Sequence, residues 1–255
     1  MNDKVAIITG ASQGIGRATA LRLAKDYSSL VLAARNGALK EVAKAIEQTG
    51  VQVLQMPLDL REPAADKALV DAALSRFGRI DALVNIAGAV PQVDILEMTD
   101  AQWDDGMALK LHGARRITID AWNALKESKG SVVFTSGNSA QAPKSGYAAV
   151  ATINAAIVAM ARAFAERGIK DGVQVNSVLP GPVLTNRRKT YMEKYAPAHD
   201  MTFDEAMKKF PAQVGISRYG QPEEIADLMA FLVSPAAKWM TGSAVRMDGG
   251  EIKGV

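Results

Sequence analysis

Thr9-Gly10-Ala11-Ser12-Gln13-Gly14-Ile15-Gly16 joins a short β-branched run, residues 5–9, to the helical stretch Arg17-Ala18-Thr19-Ala20-Leu21-Arg22-Leu23-Ala24. Glycines at such a junction let the backbone turn tightly and approach a pyrophosphate, while the helix that starts there aims free N–H groups at the anion. Gly10, Ser12, Gln13, Gly14, Ile15 and Gly16 are therefore candidate phosphate-binding residues of a dinucleotide site. A second apolar run ends Leu32-Ala33-Ala34-Arg35. An acid at the end of that strand would bond a ribose 2′-hydroxyl and select NAD. Ala34 occupies the place instead and Arg35 follows, and a planar guanidinium suits a 2′-phosphate. NADP(H) is the expected cofactor, with NAD as the alternative. Other chemistries drop out: the chain has no cysteine, hence no thiolate metal site and no thiol nucleophile. His112 and His199 are the only histidines, and neither has ligand-type neighbours in sequence, so no metal site is expected. The longest basic run, Arg187-Arg188-Lys189, has the donors to grip a substrate carboxylate or phosphate, but a solvated helix face is the preferred reading.

Short β-branched runs at 5–9, 30–34, 51–56, 82–85, 131–136, 173–178 and 243–247 alternate with amphipathic helical stretches such as 64–77. That alternation predicts right-handed βαβ crossovers and a Rossmann-type, doubly wound parallel sheet of about seven strands in a three-layer α/β/α arrangement. No repeat or linker divides the chain, so one domain over residues 1–255 is expected. Residues 186–221 interrupt the alternation after a strand whose carboxyl end should face the ligand, and form a candidate substrate lid. The 255 residues carry a net charge of +3, with 48% hydrophobic and 22% charged residues, an ordinary globular composition. Nothing in it calls for nucleic acid or a membrane surface as partner. The uncharged stretch 145–161 contains Thr152 and Asn154 and falls short of the ~20 apolar residues of a bilayer span, so it reads as a buried helix. The first residues lack the pattern of a secretory signal, and a cytoplasmic location is expected.

With its spacing Thr-Gly-x-x-x-Gly-x-Gly, the loop resembles that of the short-chain dehydrogenase/reductase family, and the likeness extends along the chain. Pro57-Leu58-Asp59-Leu60, Asn85-Ile86-Ala87-Gly88, Trp103 after Thr99-Asp100, Pro180-Gly181-Pro182-Val183-Leu184-Thr185, Pro222-Glu223-Glu224-Ile225-Ala226 and Asp248-Gly249-Gly250 all fit. The resemblance implies that Asp59 and Leu60 adjoin the adenine and that Asn85, Ala87 and Gly88 line the cofactor. Pro180, Gly181, Val183 and Thr185 would flank the nicotinamide. It also implies a small carbonyl or secondary alcohol as substrate and a homotetramer or homodimer.

The family resemblance also implies an Asn, a Ser and a Tyr-x-x-x-Lys, and here the pattern fails. Tyr147-Ala148-Ala149-Val150-Ala151 lacks the lysine. The family spacing to Pro180 puts Val150 at the Tyr position, Asn154 at the Lys and Gly137 at the Ser; the spacing from Asn85 puts Lys110 at the Asn. Asn and Lys have thus changed places. The expectation is that Lys110 reaches the space vacated at Asn154, where its charge stabilises an oxyanion or lowers the pKa of Tyr147, the displaced acid/base. Ser139 is the expected hydroxyl, because strand alternation should turn Ser136 to the opposite side. The function expected is NADP(H)-dependent oxidoreduction with a rearranged acid/base group. The alternative is a catalytically silent NADP-binding protein, acting as sensor or oligomer partner, and a hydratase or epimerase on this scaffold is a third reading.

Overall fold

Five consecutive buried residues form β1 (Val5–Thr9), and their side chains divide by strand alternation: Ile7 enters one apolar layer and Ile8 the other. A strand covered on both faces belongs to a parallel sheet. The computed structural model describes residues 3–35 and 37–254; Met1, Asn2, Asn36 and Val255 lie outside the described residues. In it β1 is central to a seven-stranded parallel sheet with β2 (Ser29–Ala34), β3 (Gln52–Pro57), β4 (Ala82–Asn85), β5 (Ser131–Thr135), β6 (Gln174–Pro180) and β7 (Ala244–Met247), in the order β3-β2-β1-β4-β5-β6-β7. The Rossmann-type α/β arrangement read from the sequence is the one observed. β6 runs past its expected end because its pairing with β7 continues to Pro180↔Met247, and β5 stops at Thr135.

Helices α1 (Gly14–Leu23), α2 (Leu39–Glu47) and α9 (Pro222–Leu232) cover one face through Leu23, Ile46, Ile225 and Met229. The other face carries α3 (Ala65–Phe77), α4 (Asp100–Gly106), α5 (Ala114–Ser128) and α6 (Ala148–Asp171). By length and composition α6 would suffice to cross a membrane, but here Ala149, Ile153, Ile157, Ala161 and Ala165 are buried on the sheet.

Three local features shape the site. The chain order reverses between β1 and β4, which opens a crevice at the carboxyl ends of the strands. Between α4, started by a Thr99/Gln102 capping box, and α5, the helix widens into a π-turn over Met107–Gly113, which carries Lys110 into the interior. Finally, α7 (Asn186–Tyr195) and α8 (Phe203–Gln213) form a separate apolar cluster around Met192, Phe210 and Tyr219. The base of that excursion is pinned where the Leu184 N–H donates to Gly220 O (2.8 Å) and the Gly220 N–H to Pro182 O (3.0 Å).

Candidate active site

A cleft of about 1160 Å³ opens over the carboxyl ends of the central strands, and all six loop residues singled out by sequence, Gly10, Ser12, Gln13, Gly14, Ile15 and Gly16, line it. The glycines are steric requirements. Gly10 has φ +68° and a Cβ there would lie 2.9 Å from Ala87 N; on Gly16 it would lie 2.0 Å from Gly10 O. Thr9 ties the loop to its neighbour, its Oγ1 accepting the N–H groups of Ile86 (2.9 Å) and Ala87 (3.1 Å). Gln13 precedes α1 without a side-chain cap, and no acid sits in the first turn, so the helix N-terminus has its N–H groups available to an anion. Arg35 lines the cleft with its side chain 57% exposed. An uncapped helix start, glycines that admit no side chain and an exposed guanidinium fit a phosphorylated dinucleotide.

Of the other expected cofactor residues, Leu60, Ala87, Gly88, Pro180, Gly181 and Thr185 line the cleft, whereas Asp59, Asn85 and Val183 do not. The Asp59 carboxylate accepts from the Arg61 N–H (3.1 Å) and guanidinium (3.3 Å), lies 3.5 Å from Arg35, and so orients those two arginines. Asn85 is buried behind the lining, its Nδ2 donating to Thr118 Oγ1 (3.3 Å). Val183 is buried in the bridge to Gly220.

Lys110, Asn154 and Ser139 come together. The Lys110 ammonium, 8% exposed, donates to Asn154 Oδ1 and to Ser136 O (3.2 Å); Asn154 Nδ2 donates to Ser139 Oγ (2.9 Å). Small residues make this possible. A Cβ on Gly137 would stand 2.6 Å from Asn154 Nδ2, and one on Gly88 would stand 3.0 Å from Lys110 Cδ. Burial, then the nearby charge of Arg187, pushes Lys110 down to about 7. Ser136 does not face away as alternation suggested: beyond the end of β5 its hydroxyl turns to α6 and donates to Asn154 O (2.8 Å).

Tyr147 also lines the cleft but is not part of this chain of bonds. It packs on Tyr191 with ring centroids 5.7 Å apart. Burial and hydrogen bonding to Tyr191 raise its pKa above the ordinary phenol value, and the cation opposing that rise is Arg188. The expected lowering of Tyr147 by Lys110 is thus replaced by the opposite shift, because Lys110 directs its protons to the α6 side chain and the β5 carbonyl.

Sequence reasoning underrated Arg187 and Arg188. Thr185 caps α7, accepting the Arg188 N–H (3.3 Å), so both arginines fall in the first turn and line the cleft, while Lys189 is exposed outside it. Arg187 reaches across to donate to Gly88 O (3.1 Å) and Val90 O (3.0 Å), and the Arg188 guanidinium carbon lies 5.1 Å from the ring centroid of Tyr191 and 5.0 Å from that of Phe210. A threonine before two arginines at a helix start was the available signal. His199 stacks on Tyr195 (3.8 Å), and Glu251 accepts from Asn138 Nδ2 (2.5 Å).

Comparison with known proteins gives a consistent set of relatives. A family model described as Enoyl-(Acyl carrier protein) reductase matches residues 10–251. The short-chain reductase protein NovJ of Streptomyces niveus is 31% identical over 249 residues, covering 97% of this chain and 94% of its own. L-sorbose reductase from Gluconobacter frateurii, complexed with NADPH and L-sorbose, is similar with a TM-score of 0.94 and 30% identity over 100% of this chain and 98% of its own. A variant of the actinorhodin polyketide ketoreductase with NADPH gives a TM-score of 0.93 at 30% identity, covering 97% of each chain.

Proposed function

The chain belongs to the short-chain dehydrogenase/reductase family, and on that premise we propose that it is an NADP(H)-dependent oxidoreductase acting on a small carbonyl or secondary alcohol. In this reading Lys110 serves as the proton donor and acceptor, the role that the family resemblance gives to a tyrosine at the position Val150 holds here. The supporting observation is the buried run Lys110–Asn154–Ser139 beside Gly88 in the cofactor cleft.

Bound in the cleft, reduced nicotinamide supplies the hydride. The protein's residues do the rest. The α1 N-terminus and Arg35 hold the phosphates, and the π-turn delivers Lys110 into a dry site. Near pH 7 the ammonium and amine forms of Lys110 are both populated, which is the condition for giving a proton to the oxygen that gains the electron pair and recovering one from water. Asn154 and the Ser136 carbonyl orient the ammonium, and Ser139 fixes the amide. Residues 186–221 cover the site within one domain.

The test is NADPH oxidation against ketones, aldehydes and short β-ketoacyl compounds with Lys110→Met and Tyr147→Phe in parallel. Loss of about 100-fold or more in kcat is expected for Lys110→Met, within the usual range for a general acid, with little change for Tyr147→Phe. Full kcat in the lysine variant would remove Lys110 from the chemistry. The second reading, a silent NADP-binding protein, is favoured by Gly137, Val150 and Asn154 standing at family catalytic positions, and NADPH binding without any turnover would establish it.

A further inference from the structure

The lid end of the cleft holds basic side chains with no ion-pair partner among the described residues. Lys110, Lys144, Arg187 and Arg188 line it, against one lining carboxylate among the described residues, Glu251, which Asn138 already engages. The glycine loop supplies donors for a dinucleotide and touches this region only where Gly14 abuts Thr185, while Arg35 stands at the β2 end. Arg187 uses part of its fork on two backbone carbonyls. The Arg188 guanidinium has ring contacts but no hydrogen-bond acceptor or ion-pair partner among the described residues. The two rings stand nearly perpendicular, at 76°, so the guanidinium is held between them with N–H groups left over for an anion, and the first turn of α7 adds the positive end of a helix dipole.

We propose that the substrate carries a carboxylate, gripped by Arg188 with Arg187 beside it, while Tyr147, Tyr191, Tyr195 and Phe210 cover an apolar or aryl body. This rests on the reading of the cleft as a carbonyl-reducing site and names its substrate class, an oxo acid. The arrangement agrees with the preferences of each part. Bidentate guanidinium–carboxylate pairs are strong and directional where water is partly excluded, and the aromatic rings that support Arg188 also line the space beside it. Neutral ketones would leave both guanidinium groups uncompensated.

Calorimetric titration of the protein–NADP⁺ complex with phenylpyruvate, benzoylacetate and 4-oxo-4-phenylbutanoate, each against its methyl ester, tests the proposal without requiring turnover. At least one acid should bind about tenfold or more tighter than its ester, and that preference should vanish in Arg188→Met and be weakened in Arg188→Lys, which keeps charge but not the fork. NADP⁺ affinity should stay within about twofold in both variants, since the Arg188 guanidinium lies over Tyr191 and Phe210 and the loop N–H groups and Arg35 hold the phosphates. The idea is overturned if no acid outbinds its ester in the wild-type protein, a comparison independent of whether any variant folds. It is also overturned if Arg188→Met loses NADP⁺ affinity instead, which would make this guanidinium a cofactor ligand. NADPH consumption is read separately: selective acid binding without turnover keeps the carboxylate site and discards the reductase reading.

Discussion

A lysine buried against an amide and a carbonyl, with another cation nearby, must respond to pH, and the sign of the response is fixed. Lys110 falls from 10.5 to about 7 in the folded protein. Between those values the unfolded chain binds the extra proton, so stability rises with pH across that window, is complete above it, and is lost as pH falls through about 7. Lys110→Met should abolish this slope: its melting temperature relative to wild type should be most favourable near pH 6 and decline toward pH 10, the stability difference changing by about 1.4 kcal/mol for each pH step within the window. In rate measurements, carbonyl reduction by the wild type should fall as pH rises through about 7, where the ammonium is lost. A flat melting difference from pH 6 to 10 would show that Lys110 is not desolvated as described. Gly137→Ser tests the packing on the other side of Asn154. Its Cβ would enter the space of Asn154 Nδ2, 2.6 Å away, so a loss of about 1–3 kcal/mol is expected in denaturant unfolding. The approach of Lys110 to Asn154 was legible from spacing along the chain. The raised pKa of Tyr147 was not legible, because its ring partner Tyr191 lies on α7 and leaves no trace in the motif.

At the scale of elements, the widened turn Met107–Gly113 and the start of α7 meet across the cleft. Nothing in Met107-Ala108-Leu109-Lys110-Leu111-His112-Gly113 announces a π-turn, since its apolar spacing serves an ordinary helix as well. The acceptors of Arg187 are equally invisible in sequence: the carbonyls of Gly88 and Val90 are main-chain atoms that any residue would offer. Strands and their order of appearance were legible because the inner β-branched runs are buried on both faces and the edge strands β3 and β7 are still half-buried, and a boundary such as Pro180 shifted where pairing with a neighbour decided it. Arg187→Met should release the first turn of α7. Amide exchange over 186–213 should quicken by about tenfold, equivalent to about 1.4 kcal/mol of local stability, in line with the loss of two charge-assisted bonds that are partly open to solvent. The same substitution removes the cation that helps depress Lys110, so the pH at which the reduction rate falls should move upward. Unchanged exchange in this segment would mean that the apolar cluster of Met192, Phe210 and Tyr219 holds α7 in place by itself.

Across the whole molecule, the sheet order separates two jobs along one cleft. The β2 end carries Arg35, the junction of β1 and β4 carries the glycine loop and Gly88, and β5 and β6 lead to Gly137, Asn154 and the arginines of α7. On the proposed reading, cofactor choice is made at the β2 end, away from Lys110. Arg35 reaches its position because Ala34 ends β2 in register with Pro57 of β3, which sets Asp59 within 3.5 Å of the guanidinium. That ion pair is exposed and worth little to stability, so removing Arg35 should leave folding intact while altering recognition. Asp59 does not become a free carboxylate in that variant, because Arg61, itself paired with Asp105 (2.5 Å), still holds it. Arg35→Ala should weaken NADPH binding by about tenfold or more, as expected for loss of a guanidinium–phosphate contact. NADH binding should change little, since that molecule lacks the 2′-phosphate. Calorimetry of both cofactors on both proteins gives the answer. A parallel loss for NADH and NADPH would mean that Arg35 serves the adenosine as a whole, and equal wild-type affinity for the two would assign selection to another part of the cleft.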